Sequence, residues 1–147
     1  MFLKVTLIHS DTLEPVLPVR SREREMEAMV GITVAPLQRR VRNDDHGGVS
    51  VSHGTFVFPD ISVRQEGLYR LLYYLYVNDE YGTSFAGSLL SRTFQVYAAK
   101  EFPGMGIATE TTEQLKNGGL KVRVNKAARM TRKTTGRMQN VVFLPFG

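Results

Sequence analysis

The chain has 147 residues, 42% hydrophobic and 22% charged, which fits one globular domain with a core of its own. It has no cysteine, which excludes disulfides and thiolate metal sites and fits a reducing compartment, and no apolar run reaches the ~18 residues needed to span a bilayer. The net charge of +5 is unevenly placed: residues 114–147 hold eight basic side chains and no acid, while the first 113 residues hold eleven basic and fourteen acidic ones.

Residues 2–9 (FLKVTLIH) alternate loosely and predict a first strand with Val5 and Leu7 on one face. The apolar run is too short for a signal peptide and no small-residue cleavage pattern follows, as expected of a cytosolic or nuclear protein. Residues 10–18 carry two prolines and predict a turn region, and the mixed charges of 20–27 (RSREREME) predict a short exposed helix or a loop. Residues 29–36 (MVGITVAP) predict one strand, weakened by Gly31 and closed by Pro36. The stretch 37–54, with Arg39, Arg40 and Arg42 followed by Asn43-Asp44-Asp45-His46-Gly47-Gly48, reads as a loop by its turn chemistry.

Residues 55–58 form a short β-type run that Pro59-Asp60 breaks, and Ile61-Ser62-Val63 alternates briefly. Glu66-Gly67 then turns the chain into 68–77 (LYRLLYYLYV). Tyr69, Leu71, Tyr73, Leu75 and Val77 share one side of this strand, and Leu68, Leu72, Tyr74 and Tyr76 share the other, interrupted by Arg70. A strand buried on one face shows clean alternation, so this one is expected to be covered on both faces, the second by a part of its own chain or by a partner chain. Residues 79–91 read as a connection with at most a short edge strand, and 92–98 as a strand with Phe94 and Val96 facing one way.

Pro103, Gly104 and Gly106 make 100–107 irregular. Thr111-x-x-Gln114 has capping-box spacing and predicts a short helix near 111–118, stopped by Gly118-Gly119. Residues 120–124 predict a strand with Leu120, Val122 and Val124 on one face and Lys121 and Arg123 on the other. Residues 127–139 are polar and basic, and 140–146 (NVVFLPF) are apolar and expected to dock. About seven short strands and one short helix predict an all-β fold, an antiparallel β-sandwich.

No constellation for catalysis is present, and the chain is expected not to be an enzyme and to need no cofactor, metal or small-molecule substrate. His9, His46 and His53 lack ligand spacing, and Gly104-Met105-Gly106 lacks the third glycine and the long helix of a dinucleotide fingerprint. Asp60 and Glu66 flank a turn, where capping or pairing with Arg64 and Arg70 outweighs an acid–base couple. The basic residues are the better candidates. Lys121 and Arg123 alternate along a predicted strand, and Lys126, Arg129, Arg132, Lys133 and Arg137 continue the charge beyond it. Successive long cationic side chains reach successive phosphates, so these residues are candidate contacts to double-stranded DNA, with Arg39, Arg40 and Arg42 as a second cluster. A solvated tail, or one that meets an acidic partner, has the same composition.

Two stretches carry a family resemblance. FVFPDISVRQEGLYRL (56–71) and FQVYAAKEFPGM (94–105) resemble, in order and in register, the two hallmark segments of the velvet family of fungal regulators. Residues 109–126 resemble the family's closing helix, glycine and basic strand, so the resemblance is strong over 56–126 and looser over 2–36. It implies a fold similar to the Rel-homology, immunoglobulin-like sandwich, and homo- or heterodimerisation between velvet proteins. It also implies sequence-specific DNA binding, presence in nucleus and cytoplasm, and control of development, sporulation and secondary metabolism. Tyr74 and Tyr76 are then expected at the dimer interface. The expected organisation is a velvet domain over 1–126, shortened at its N-terminus and with a sheet edge left open, and a basic extension over 127–147 with a final apolar strand-like segment. The alternative is a module that pairs with another velvet protein and contributes little or no DNA binding itself.

Overall fold

The aromatic run after Gly67 becomes the spine of the main sheet. The computed structural model describes residues 1–20, 23–42, 51–104, 109–117 and 119, with the backbone alone at 40–42, 51–53 and 111. Its elements are β1 (Phe2–His9), β2 (Val19–Arg20), β3 (Glu25–Met26), β4 (Met29–Val30), β5 (Val34–Pro36), β6 (Gln38–Arg42), β7 (Val51–Thr55), β8 (Ser62–Val63), β9 (Gly67–Asp79), β10 (Gly82–Leu90), β11 (Phe94–Val96) and α1 (Glu110–Asn117). The fold is all-β and antiparallel, with one short helix among the described residues.

The 13-residue β9 pairs with β1 along one edge and with β10 and then β11 along the other, and β5 extends the sheet beyond β1. Register fixes which side chains share a face: Val5 lies opposite Tyr73 and Leu7 opposite Leu71. Leu3, Val5, Leu7, Tyr69, Leu71 and Tyr73 thereby form one inner face, and Phe56, Phe58, Ile61, Val63 and Ala28 pack against it as a second layer. Phe58 and Ile61 are 0% and 2% exposed. Burial of side chains of this size contributes about 1.5–3 kcal/mol each.

The hallmark residues are fasteners of this layer. The Asp60 carboxylate accepts the N–H of Ile32 at 2.9 Å, which ties the turn after Pro59 to the turn after β4. Gly31 there has φ +112°, and a Cβ on it would strike the Asp60 carbonyl oxygen, so the position is closed to side chains by backbone and by space. The ladder β4–β8 and the bond from Arg64 N–H to the Ala28 carbonyl, 2.9 Å, continue the same seam. At Glu66-Gly67 the logic repeats. Gly67 has φ +149°, a Cβ there would sit 3.0 Å from the Tyr69 oxygen, and the Tyr69 hydroxyl donates to the Glu66 carbonyl at 3.2 Å.

Several elements differ from the sequence expectation. The charged 20–27 stretch contributes the short β2–β3 ladder rather than a helix, with Arg20 opposite Glu25. The strand expected over 29–36 divides into β4 and β5 because Gly31 redirects the backbone, and the halves join different ladders. The flanks of the loop expected over 37–54 form a five-pair ladder, Gln38 opposite Thr55 through Arg42 opposite Val51, while its expected turn, 43–48, lies outside the described residues. Its strands are polar, and hydrophobic periodicity does not reveal a strand held mainly by its ladder. The strand-like run 55–58 leaves the ladder after Thr55 and continues as buried irregular chain.

The connection expected over 79–91 holds the nine-residue β10, since the exposed edge of β9 offers a template that a run of small residues accepts. Its turn is made by Asp79, whose carboxylate accepts the Tyr81 N–H at 2.9 Å, and by Gly82 at φ +129°. The helix cap lies two residues before the expected one: Thr109, not Thr111, offers its hydroxyl oxygen to the Thr112 N–H at 3.3 Å. Glu110 and Glu113 in the first turn and Lys116 in the last suit the helix dipole. Gly119, at φ +88°, closes the end by donating to the Lys116 carbonyl at 2.9 Å. The predicted strand 120–124 and the apolar run 140–146 lie outside the described residues.

Candidate functional site

Arg39, Arg40 and Arg42 lie on β6, opposite Gly54, His53 and Val51 of β7. They belong to a paired strand and not to a loop tip, and the Arg39 side chain is exposed. Lys121, Arg123, Lys126, Arg129, Arg132 and Lys133 all lie outside the described residues.

The second surface is the outer face of the main sheet. Pairing places Phe2 of β1, Tyr76 of β9 and Phe85 of β10 in one row across three strands. The Phe2 and Tyr76 rings stack with centroids 5.1 Å apart, Phe85 meets Tyr76 edge-on at 6.0 Å, and Tyr74 lies 6.4 Å from Phe85. Each such pair adds about 0.5–1.5 kcal/mol beyond its area, so the strip is a preformed surface. Lys4 lies opposite Tyr74 on this face and is exposed. Among the described residues of this chain the second face of β9, expected to be covered by the chain itself or by a partner, is only partly covered. The inner face is core, while Tyr74 and Tyr76 are half-buried, and Leu68 and Phe85 are 55% and 60% exposed. Sequence reasoning found the two tyrosines but missed Phe2 and Phe85, because only strand register brings them to the same row.

Several polar side chains near these surfaces have structural partners. Asp60 accepts a backbone N–H as described, and Arg70 donates its Nε to the Thr93 hydroxyl at 3.0 Å in place of the expected pairing with a carboxylate. The His9 ring packs 5.8 Å from Tyr69. The N–H groups of Thr12 and of Asp11 itself hold the Asp11 carboxyl below its ordinary range, against slight burial, with His9 helping. Burial pushes the Tyr69 phenol up, and the Glu66 carboxylate adds to this. Among the described residues no group of three metal-ligating side chains converges, and no helix is long and apolar enough to cross a membrane.

The described chain is thus an all-β scaffold whose distinctive sequence motifs hold turns and whose candidate contacts lie on strand surfaces. It belongs to the velvet family: the velvet factor model matches residues 9–129. It is 41% identical over 87 residues to the spore development regulator umv1 of Mycosarcoma maydis, a match covering 59% of this chain and 11% of that protein. It is 30% identical over 145 residues to the developmental and secondary metabolism regulator MVE1 of Zymoseptoria tritici, covering 84% of this chain and 54% of that one. With the spore development regulator VOSA of Pyricularia oryzae it shares 31% identity over 129 residues, 87% of this chain and 23% of the relative. The chain therefore spans between about a tenth and about half of the length of these relatives.

Proposed function

We propose that this chain is a regulator of fungal development and secondary metabolism that binds double-stranded DNA as a homo- or heterodimer with a velvet protein. The observation that carries the reading is the joint presence of a velvet domain and a C-terminal segment, 114–147, with eight basic residues and no acid. Lys121, Arg123, Lys126, Arg129, Arg132 and Lys133 contact phosphates, with Arg39, Arg40 and Arg42 as the second cluster. Tyr74 and Tyr76 belong to the dimer surface. The protein works in nucleus and cytoplasm, carries out no catalysis, and divides near residue 126 into the velvet domain and its basic extension.

Fluorescence anisotropy on duplex DNA across a salt series tests this. Neutralising four to six phosphates gives a log–log salt slope of about −4 to −5, and no binding at low salt overturns the reading. The exposed aromatic strip favours a second reading, a pairing module with little DNA contact of its own. A dimer, with itself or with a second velvet protein, that leaves duplex DNA unbound at low salt identifies that one.

A further inference from the structure

The outer edge of β10, unpaired among the described residues, is unusual for an edge. Natural edges are blunted by lysine, proline, shortness or a bulge. Gly82–Leu90 is nine residues long and has no charge and no proline, and among the described residues no strand pairs with its outer side. The one blunting feature is a bulge between Phe85 and Gly87, and the residues on either side of it pair regularly with β9.

We infer that β10 is the seat of the homodimer, pairing antiparallel with β10 of a second copy across a two-fold axis that passes between Ala86 and Gly87. This deepens the dimeric reading above and rests on it. The bulge sets the register. Phe85 lies opposite Tyr76 and Ser88 opposite Tyr74, so both belong to the outer face, while Ser84 and Leu89, opposite Val77 and Tyr73, belong to the inner one. A register that places Phe85 beside Ser88, Ser84 beside Leu89 and Thr83 beside Leu90 of the other copy matches faces on both sides of the bulge. The axis between Ala86 and Gly87 does this. Exposed Phe85 and Leu89, at 60% and 43%, then gain cross-strand neighbours, and the two aromatic strips join one continuous face.

The same register makes the ends complementary. Tyr81, 91% exposed, comes opposite Arg92 of the other copy, with Glu80 beside it, and symmetry repeats the contact. Among the described residues neither Glu80 nor Arg92 has an ionic partner in its own chain. A C2 interface requires such self-complementarity, the acidic turn at one end of the strand meeting the basic residue at the other.

Sedimentation equilibrium of the full chain over a concentration series tests the pairing, with circular dichroism as the check on folding, since every altered side chain is exposed. The wild type is expected to be dimeric, and S88K, which puts a charge opposite Phe85 twice per dimer, is expected to weaken it by about tenfold or more. E80R and R92E each weaken it by about three- to tenfold, and the E80R/R92E pair restores it to within about threefold. A dimer indifferent to S88K and to both charge reversals overturns the β10 pairing and leaves the dimeric reading standing. A monomer at every concentration overturns pairing and homodimer together.

Discussion

Replacing Tyr73 by Phe is expected to stabilise the protein. Tyr73 is 1% exposed, packs against Phe58 with ring centroids 6.0 Å apart, and its hydroxyl has no hydrogen-bond partner among the described residues. A buried hydroxyl without a partner costs about 1–3 kcal/mol, and Phe keeps the ring while leaving only an oxygen-sized void. The net gain is roughly 0.5–2 kcal/mol, which moves the melting temperature of a domain of this size up by about 1–6 °C. Urea titration checks it: the midpoint rises and the slope stays unchanged. The alkaline limb gives an independent readout. Burial pushes the Tyr73 phenol well above its ordinary range. The folded state therefore holds this proton more tightly than the unfolded state. Its contribution is complete below the ordinary phenol pKa of about 10 and is lost as pH rises above that value, at up to about 1.4 kcal/mol per pH unit. Tyr73→Phe removes this part of the alkaline loss. A loss of more than about 1 kcal/mol of stability, or an unaltered alkaline limb, refutes the reasoning, because either result requires a partner for the hydroxyl.

Gly31→Ala combines a left-handed backbone with a collision at the Asp60 carbonyl and is expected to cost at least about 2–3 kcal/mol in chemical denaturation, far more than the same change at open Gly87. Asp60→Ala removes the acceptor for the Ile32 N–H and should cost about 1–2 kcal/mol, whereas Asp60→Asn keeps an acceptor oxygen and should recover most of it in the same assay. Thr109→Ala removes the helix cap and should cost about 1 kcal/mol.

The parts of the fold that the sequence discloses are those where burial dictates pattern. β1 and β9 have β-branched and aromatic residues in runs, and their inner-face residues Val5, Leu7, Tyr69, Leu71 and Tyr73 are all core. The polar strand β6 and the small-residue strand β10 escape notice for a common reason. Their pairing depends on a neighbour's free backbone edge, which is a property of the assembled sheet and leaves no apolar period in the strand itself. The candidate site divides along the same line. Tyr74 and Tyr76 are legible because they break the alternation of an otherwise half-buried strand. Phe2 and Phe85 are 83 positions apart in the chain, and only the register through Tyr76 reveals them as neighbours.

The hallmark motifs and the proposed contact surfaces are different sets of residues, and the structure gives a physical reason for the split. Asp60 and Gly67 within the 56–71 stretch, with Gly31 against Asp60, sit where backbone conformation, space or a hydrogen bond restricts the side chain, so few substitutions are tolerated there. The outer-face residues meet no such constraint. Their exposed rings and hydroxyls can change with the partner while the sheet beneath stays intact, because the energy that holds the sheet lies on its other face. Substitutions that abolish folding should therefore concentrate at the hallmark turns, and substitutions that change assembly without changing stability should concentrate on β10 and the outer face of β9. A stability loss at exposed Ser88 or Glu80 as large as that at Gly31 would contradict this division of labour.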